Sequence, residues 1–188
     1  MGALPLTQIV FVPAARPPHR PRPRASADDR LAMLEIALAR DPRFVIDETE
    51  YERAGPSYMV DTLAVIRKRH RGPLALILGS DACAGLPGWH RWRRILGLAH
   101  LLIVSRPGFD QRLPGWVAPR AVAHGADLLA ADHGLAYLFT ASARPESATA
   151  LRAALEEGSA PQAWLPDGVA AYIEAHGLYR KGLDYDET

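Results

Sequence analysis

Four short segments of the sequence carry residue types that bind phosphate groups and ribose. Arginine occurs in three of them and the fourth is Gly79-Ser80-Asp81; the segments are residues 13–20, 79–81, 105–108 and 147–152. Arginine pairs with phosphate oxygens, glycine lets a ligand approach the backbone closely, and an aspartate just beyond it can accept hydrogen bonds from ribose hydroxyls. The combination indicates a nucleotide-binding site.

The last of these segments also shows an unusual distribution of charge. It begins a predicted helix, over residues 147–157, that has Arg152 in its early turns and Glu156 and Glu157 at its end. The helix dipole favours the opposite arrangement by about 0.3–1 kcal/mol per charge. A phosphate chain bound at the helix N-terminus would explain the reversal, with further contacts from Ser147, Thr149 and Arg152. An ordinary surface helix capped by Ser147 explains the sequence equally well.

Two tryptophans, Trp89 and Trp92, follow the glycine–aspartate segment by a few residues. At the mouth of a sheet a tryptophan can stack on a planar ring, and a pyridinium ring would add cation–π attraction. Tryptophan more often fills a core, so both interpretations stay open on this observation.

The predicted elements explain why these segments should meet. Strands are predicted at residues 8–12, 44–46, 74–78, 100–104 and 135–139, and helices from Ser26 and at residues 58–69, 147–157 and 168–176. Strands alternating with helices are typical of an α/β fold with one doubly wound, Rossmann-like, mostly parallel sheet, which binds ligands beyond the carboxyl ends of its strands. Residues 108–132 show weak periodicity and are predicted to be irregular. A length of 188 residues suits a single domain over residues 1–188.

Composition narrows the class of protein. The net charge is +1, but no Asp or Glu precedes Asp28, while five basic residues lie between Arg16 and Arg24, which favours an anionic ligand there. That run is short and lacks interleaved aromatics, so we expect no nucleic-acid partner. Cys83 is the single cysteine, which excludes an intramolecular disulfide and suits a reducing compartment. No apolar run approaches the ~20 residues that cross a bilayer, so we expect a cytoplasmic protein without membrane contact.

Taken in order, six motifs resemble those of bacterial nicotinate-nucleotide adenylyltransferases, a family of the nucleotidyltransferase superfamily. Pro17-Pro18-His19-Arg20 is similar to the family's PPH(K/R) loop, and residues 56–63 are similar to PSYTxDTL. The others resemble GxD with LPxWH (residues 79–81 and 86–90), RPG (residues 106–108), SATxIR (residues 147–152) and YIxxxxLY (residues 172–179). Each motif alone is common, whereas six in this order are highly specific.

The resemblance implies a reaction and a set of roles. The phosphate of nicotinate mononucleotide attacks the α-phosphorus of ATP, with Mg²⁺ on the phosphates, giving deamido-NAD and pyrophosphate. By analogy, the pyridine ring stacks on Trp89, and its carboxylate lies among Ser57, Tyr58, Met59 and His90. Gly79 and Asp81 hold the adenosine ribose. The residues around the triphosphate are His19, Arg20, Arg106, Ser147, Thr149 and Arg152, of which His19, Arg20 and Arg152 are the candidate catalytic groups. No residue is implied as a protein ligand of a metal.

The sequence departs from the family pattern in two places. The family opens with a strand, a GTFDPxHxGH turn and a helix, whereas residues 1–7 correspond only to the tail of that helix, so we expect about 30 residues of a strand–turn–helix to be missing. Neighbouring strands would then lose backbone partners, and we expect the chain to associate with itself. Met59 stands where the family usually has threonine, which removes a hydroxyl that could bond the carboxylate and leaves the preference for nicotinate over nicotinamide mononucleotide open.

Two alternatives remain open at this point. Another adenylyltransferase of the same fold, such as the pantetheine-phosphate type, would share the nucleotide segments but would not need residues 56–63 and Trp89. A non-catalytic nucleotide-binding protein without the HxGH turn would keep all the binding segments.

Overall fold

Residues 4–16, 23–105, 112–142, 147–159 and 162–180 are described by the computed structural model of the protein. Their strands and helices follow one another as β1 (Ile9–Phe11), α1 (Ala27–Leu38), β2 (Phe44–Ile46), α2 (Thr49–Glu52), α3 (Met59–Arg69), β3 (Ala75–Gly79), α4 (Ser80–Gly85), α5 (Trp92–Ile95), β4 (His100–Ser105), β5 (Ala136–Thr140), α6 (Ala148–Glu156) and α7 (Asp167–Ala175). The chain divides into two compact units, one of residues 1–6 and 57–143 and one of residues 7–56 and 144–188.

The unit that contains residues 57–143 is built on a parallel sheet in the order β3-β4-β5. β4 lies between two neighbours, and its continuous apolar run is almost entirely buried, as expected of a central strand. The core around it is made of side chains from the helices and strands together: Val60, Leu63, Leu78, Leu86, Ile95, Leu101, Ile103 and Val117. Cys83 belongs to the same core; it is fully buried, and burial raises the pKa of its thiol.

The second unit pairs β1 with β2 in parallel, from Ile9 opposite Phe44 to Phe11 opposite Ile46. α1 connects the two strands, and its N-cap Ser26 accepts a hydrogen bond from the backbone N–H of Asp29, as the sequence predicts. α1 packs against α7, and the small core between them includes Val169 and Ile173.

The carboxylate of Asp29 joins α1 to α7. The Tyr172 hydroxyl donates to Oδ1 of Asp29 at 3.0 Å, and the Ser26 hydroxyl donates to Oδ2 at 2.6 Å. These hydrogen bonds, that of Ser26 first, lower the pKa of the Asp29 carboxyl. The start of α1 is therefore fixed from its own cap and from the opposite helix.

The predicted elements agree with the structure in type and nearly in position. All five strands and the four longer helices begin and end within about two residues of their predicted limits; for α1 only the start was predicted. Gly158 and Gly177 follow the ends of their helices with positive φ angles of 67° and 63°. The α/β class with parallel strands is confirmed. Within the described ranges, however, the strands pair as two sheets, of two and three strands, where the sequence indicates one.

The predicted irregular region contains two 3-10 helices in its described part, Ala118–Arg120 and Gly125–Ala130. The short helices α2, α4 and α5 were not predicted. No described helix has the length and hydropathy needed to cross a membrane. The single domain over residues 1–188 stays a prediction.

Candidate active site

The turn between β3 and α4 presents backbone and a carboxylate at the carboxyl end of the sheet. Gly79 ends β3 and is exposed, and a Cβ placed on it would meet no atom within 4 Å. Asp81 lies exposed in the first turn of α4. The Ser80 hydroxyl donates to the carbonyl of Val104 at 3.4 Å, which ties this turn to the end of β4. Open space at Gly79 beside an exposed carboxylate suits the approach of a ribose.

An aromatic segment follows in the same unit. The 3-10 helix Leu86–Gly88 is anchored by Leu86, which is fully buried, and the chain then leads to Trp89. Trp89 is half-buried and packs against the core described above, so part of its surface remains accessible. Arg91 adopts a left-handed conformation (φ 48°, ψ 37°) that turns the chain from His90 into α5. A left-handed backbone costs a non-glycine residue about 1–2 kcal/mol, so the core around this segment must hold the turn in place.

The start of α3 lies against this aromatic segment. The ring of Tyr58, the N-cap residue of α3, stacks on the ring of His90 with centroids 4.3 Å apart and planes 28° from parallel. Tyr58 and Met59 are half-buried against the same core as Trp89. The structure thus brings four of the five predicted substrate-binding residues to one region: Tyr58, Met59, Trp89 and His90. The fifth, Ser57, directly precedes Tyr58 in the chain.

The remaining described candidates lie at the start of α6, in the other unit. Ser147 is the N-cap, and its hydroxyl oxygen accepts from the backbone N–H of Ala150 at 3.1 Å. Thr149 and Arg152 follow on the helix and are exposed. The Ser147 cap that the sequence left as an alternative is therefore present. The Ser147 hydroxyl oxygen accepts the capping hydrogen bond, while its hydrogen can still be donated to an anion.

The reversed charge of α6 has a partial explanation. Glu156, at the C-terminal end where an acid is unfavourable, forms an ion pair with Arg24. Arg24 belongs to the basic run that was expected to attract an anion. One of the charges of that run is therefore paired with the carboxylate of Glu156. No described contact explains why Arg152, a basic residue, lies in the early turns of α6.

Three predicted site residues, His19, Arg20 and Arg106, lie outside the described residues. Among the described residues, no group of three or more His, Cys, Asp or Glu side chains could hold a metal ion.

Relatives resemble the chain over nearly its full length. A protein of Methylococcus capsulatus named "Probable nicotinate-nucleotide adenylyltransferase" is 43% identical over 184 residues, which cover 95% of this chain and 88% of the relative. A protein of the same name from Aeromonas hydrophila is 42% identical over 185 residues, covering 95% of this chain and 86% of the relative. The chain belongs to the nicotinate-nucleotide adenylyltransferase family.

Broader comparisons agree with this family. The cytidylyltransferase-like family model matches residues 2–154. A Plasmodium falciparum nicotinic acid mononucleotide adenylyltransferase complexed with NaAD has a similar fold, with a TM-score of 0.65 at 15% identity, covering 92% of this chain and 82% of that chain. The same enzyme complexed with APC gives a TM-score of 0.60 over the same shares of both chains. The predicted nucleotidyltransferase-like fold is confirmed.

Two contacts in this member of the nicotinate-nucleotide adenylyltransferase family were not predicted from the sequence. The stacking of Tyr58 on His90 joins residues 32 positions apart, and periodicity gives no signal for such a pair. The bond from Ser80 to Val104 has a weak signal, because a small hydroxyl residue at the end of a buried strand often satisfies a neighbouring carbonyl.

Proposed function

We propose that this chain is an enzyme that transfers AMP from MgATP to nicotinate mononucleotide, forming deamido-NAD and pyrophosphate in NAD biosynthesis. Family membership supports the reaction class. The observation that carries the choice of acceptor is aromatic: Trp89 packs against the same core as Tyr58, and the ring of Tyr58 stacks on that of His90. A pyridine nucleotide needs a platform of this kind, whereas an aliphatic pantetheine does not.

On the acceptor side, we assign Trp89 as the platform for the pyridinium ring, since stacking and cation–π attraction both act there. Ser57, Tyr58, Met59 and His90 surround the ring's carboxylate in this proposal. Tyr58 is the N-cap residue of α3, and the N-terminus of a helix favours an anion through the helix dipole. In this proposal the carboxylate lies at that positive end of α3, where Met59 supplies no hydroxyl.

On the ATP side, Gly79 and Asp81 are assigned to the adenosine ribose, and Ser147, Thr149 and Arg152 to the phosphates. The exposed Arg152 is a charged donor in the second turn of α6, and the helix dipole favours anions at the turn before it. His19, Arg20 and Arg106 are assigned to the phosphates from the family resemblance alone.

The reaction needs no covalent intermediate. An oxygen of the mononucleotide phosphate forms a bond to the α-phosphorus of ATP, and the bond from that phosphorus to the bridging oxygen breaks as pyrophosphate leaves. Catalysis of this kind depends on aligning the two nucleotides and neutralising charge that builds on the phosphates. Mg²⁺ enters with ATP as part of the substrate. We further propose a cytoplasmic location, consistent with a single, fully buried cysteine.

The test is a comparison of ligand affinities in the unaltered chain and in Trp89→Ala. Loss of stacking and cation–π attraction, worth about 1–2 kcal/mol, should weaken nicotinate mononucleotide binding by roughly five- to thirtyfold. MgATP affinity should change by less than about twofold, and calorimetric titration of each ligand measures both.

The controls separate this assignment from its rivals. Trp164→Ala removes a tryptophan from the other unit and should alter neither affinity. Equal losses of both ligands in Trp89→Ala would mean that Trp89 supports the fold only. Preferential binding of 4′-phosphopantetheine by the unaltered chain would favour the pantetheine-phosphate type. Because the sequence of 188 residues contains no HxGH motif, binding rather than turnover is the primary measurement.

A further inference from the structure

Residues 89–92 form a tight turn that carries two of the proposed acceptor-binding side chains. The backbone N–H of Trp92 donates to the carbonyl of Trp89 at 3.2 Å, which closes the turn, and the N–H of Trp89 donates to the carbonyl of Leu86 at 2.9 Å. Arg91 is the third residue of the turn and has a positive φ of 48°. A positive φ at this position favours glycine or asparagine, which reach the left-handed region at little cost. An arginine there works against the local backbone preference.

Within the described part of the chain, the side chain of Arg91 makes no contact that would offset this strain. It is exposed, and no hydrogen bond, ion pair or ring contact joins it to another described residue. Its neighbours differ in this respect. The ring of His90 stacks on Tyr58 with centroids 4.3 Å apart, and the guanidinium of Arg93 lies 4.7 Å from the ring centroid of Trp92. An unattached cation on a strained backbone indicates a partner outside the chain.

Arg91 is also close enough to act on a ring that stacks on Trp89. Consecutive Cα atoms are about 3.8 Å apart, so the Cα atoms of Arg91 and Trp89 lie within roughly 7.6 Å of each other. Physiological salt screens charge over about 8 Å, so the charge of Arg91 acts on a carboxylate carried by such a ring. Residues 80–95 contain three arginines and a single acid, Asp81, which makes the potential of this segment positive.

We propose that Arg91 is a specificity-determining residue of the acceptor site: its positive charge favours a pyridine mononucleotide with a ring carboxylate over one with a neutral carboxamide. The inference rests on the proposed function, because it assumes that the pyridine ring stacks on Trp89. It adds to that function a charge that selects nicotinate, at a site where Met59 supplies no hydroxyl. The strained conformation of Arg91 is then the consequence of placing a cation where the backbone favours glycine.

The experiment titrates nicotinate mononucleotide, nicotinamide mononucleotide and MgATP into the unaltered chain and into variants of Arg91. Arg91→Gln removes the charge and should lower the ratio of nicotinate to nicotinamide mononucleotide affinity by about two- to fivefold, with MgATP affinity changed by less than about twofold. Arg91→Lys keeps a positive charge and should keep most of the ratio. The difference between Arg91→Gln and the unaltered chain should shrink as NaCl rises from about 50 to about 500 mM, because salt screens an exposed charge.

Arg91→Gly removes the charge together with the strain. The ratio of the two affinities should fall as in Arg91→Gln, while the melting temperature should not fall, because glycine adopts a positive φ without a steric cost. A purely structural role of Arg91 would not produce a loss of selectivity in a variant that is at least as stable.

Arg94→Gln is the matched control, because Arg94 is an exposed arginine of α5 that lies outside the turn. It should leave the ratio unchanged, and an equal fall in this control overturns the inference. An unchanged ratio in Arg91→Gln also overturns it, as does an equal loss of both mononucleotides, which would place Arg91 at their common phosphate. If Arg91→Gln does not fold, Arg91→Gly decides the same question. Failure of the unaltered chain to bind either mononucleotide contradicts the proposed function itself, and the inference with it.

Discussion

At the scale of single residues, we expect Met59 to influence which pyridine nucleotide the proposed site prefers. It is the first residue of α3, half-buried beside the stacked Tyr58. Met59→Thr places a hydroxyl there that can donate to a carboxylate, a bond worth about 1.5–3 kcal/mol, against about 1 kcal/mol for a neutral amide. The affinity ratio of nicotinate to nicotinamide mononucleotide should rise roughly two- to tenfold in titrations of the variant.

Ala64→Thr introduces the same side chain at a half-buried position farther along α3 and should leave the ratio as it is. An unchanged ratio in Met59→Thr as well would mean that backbone N–H groups of the first helical turn already carry the selection.

The sequence predicts individual positions of the candidate site better than contacts between them. Gly79 lies at the end of a strand, Asp81 just beyond it and Ser147 at a helix N-cap, as predicted, because local residue preferences mark strand ends and helix starts. The stacking of Tyr58 on His90 could not be predicted, since it depends on how α3 and the segment after α4 fold onto one core. The hydrogen bonds that the Arg30 guanidinium donates to the carbonyls of Ala14 and Ala15 depend equally on tertiary structure.

At the scale of elements, β4 is attached to the loop before β5 through a buried histidine. His100 is 1% exposed; its Nδ1 accepts from the backbone N–H of Leu135 at 3.1 Å, and its Nε2 lies 2.9 Å from the carbonyl of Ala131. The accepting Nδ1 requires a neutral ring with its hydrogen on Nε2. Burial lowers the pKa of His100 from its ordinary value of 6.5, and the nearby charges of His133 and Arg67 act in the same direction, while Asp132 and the bond to Ala131 oppose them.

The lowered pKa predicts acid sensitivity. Between the two pKa values of His100 the unfolded chain binds more protons than the folded chain, so the free energy of unfolding falls as the pH decreases through about 6.5. The contribution of the neutral ring is fully present above that pH. Melting temperatures measured from about pH 7.5 to 5.5 should therefore fall more steeply for the unaltered chain than for His100→Asn.

His133→Asn removes an exposed histidine from the same loop and should preserve the steep slope. If His100→Asn and the unaltered chain show the same slope, the acid sensitivity has another source. The titration of Asp41 does not contribute to this pH dependence, because its hydrogen bonds with Arg43 lower the pKa of its carboxyl to about 2, far below the pH range of the measurement.

The regular elements were predictable because their signals are local. A buried strand such as β4 needs only a short apolar run, and a helix such as α3 shows its period over eleven residues. α2 and α5 have four residues each, little more than one turn, which is too short for a period to appear. The loops are held by bonds from one side chain: the Arg67 guanidinium donates to the nearby carbonyl of Gly72 at 2.6 Å and to the distant carbonyls of Leu98 at 2.9 Å and Asp132 at 2.9 Å. From the sequence, Arg67 could be recognised only as a basic residue near the end of a helix, and these bonds could not be predicted.

At the scale of the whole molecule, the exposed sheet edge at β3 should control self-association. Within the described residues β3 pairs only with β4, and Ile77 in its middle is 43% exposed. An apolar edge strand can pair with another chain, and a lysine at the edge opposes this. Ile77→Lys should lower the weight-average mass at high protein concentration, measured by sedimentation, without lowering the melting temperature by more than a few degrees.

Leu129→Lys changes an even more exposed leucine, 56% accessible, that lies in a 3-10 helix instead of a strand. It should leave the mass distribution unchanged. Equal effects of both variants would indicate general surface hydrophobicity, and no effect of Ile77→Lys would exclude β3 as the contact.

The burial of Cys83 makes the protein suitable for site-specific fluorescence labelling. A thiol that solvent does not reach, and whose pKa is raised, reacts slowly with maleimides at neutral pH. Gly88 is exposed, has no positive φ, and has open space where a side chain would stand, so Gly88→Cys would provide a single reactive thiol next to Trp89. A dye attached there would report the arrival of a pyridine nucleotide through a change in emission, without the removal of any native cysteine.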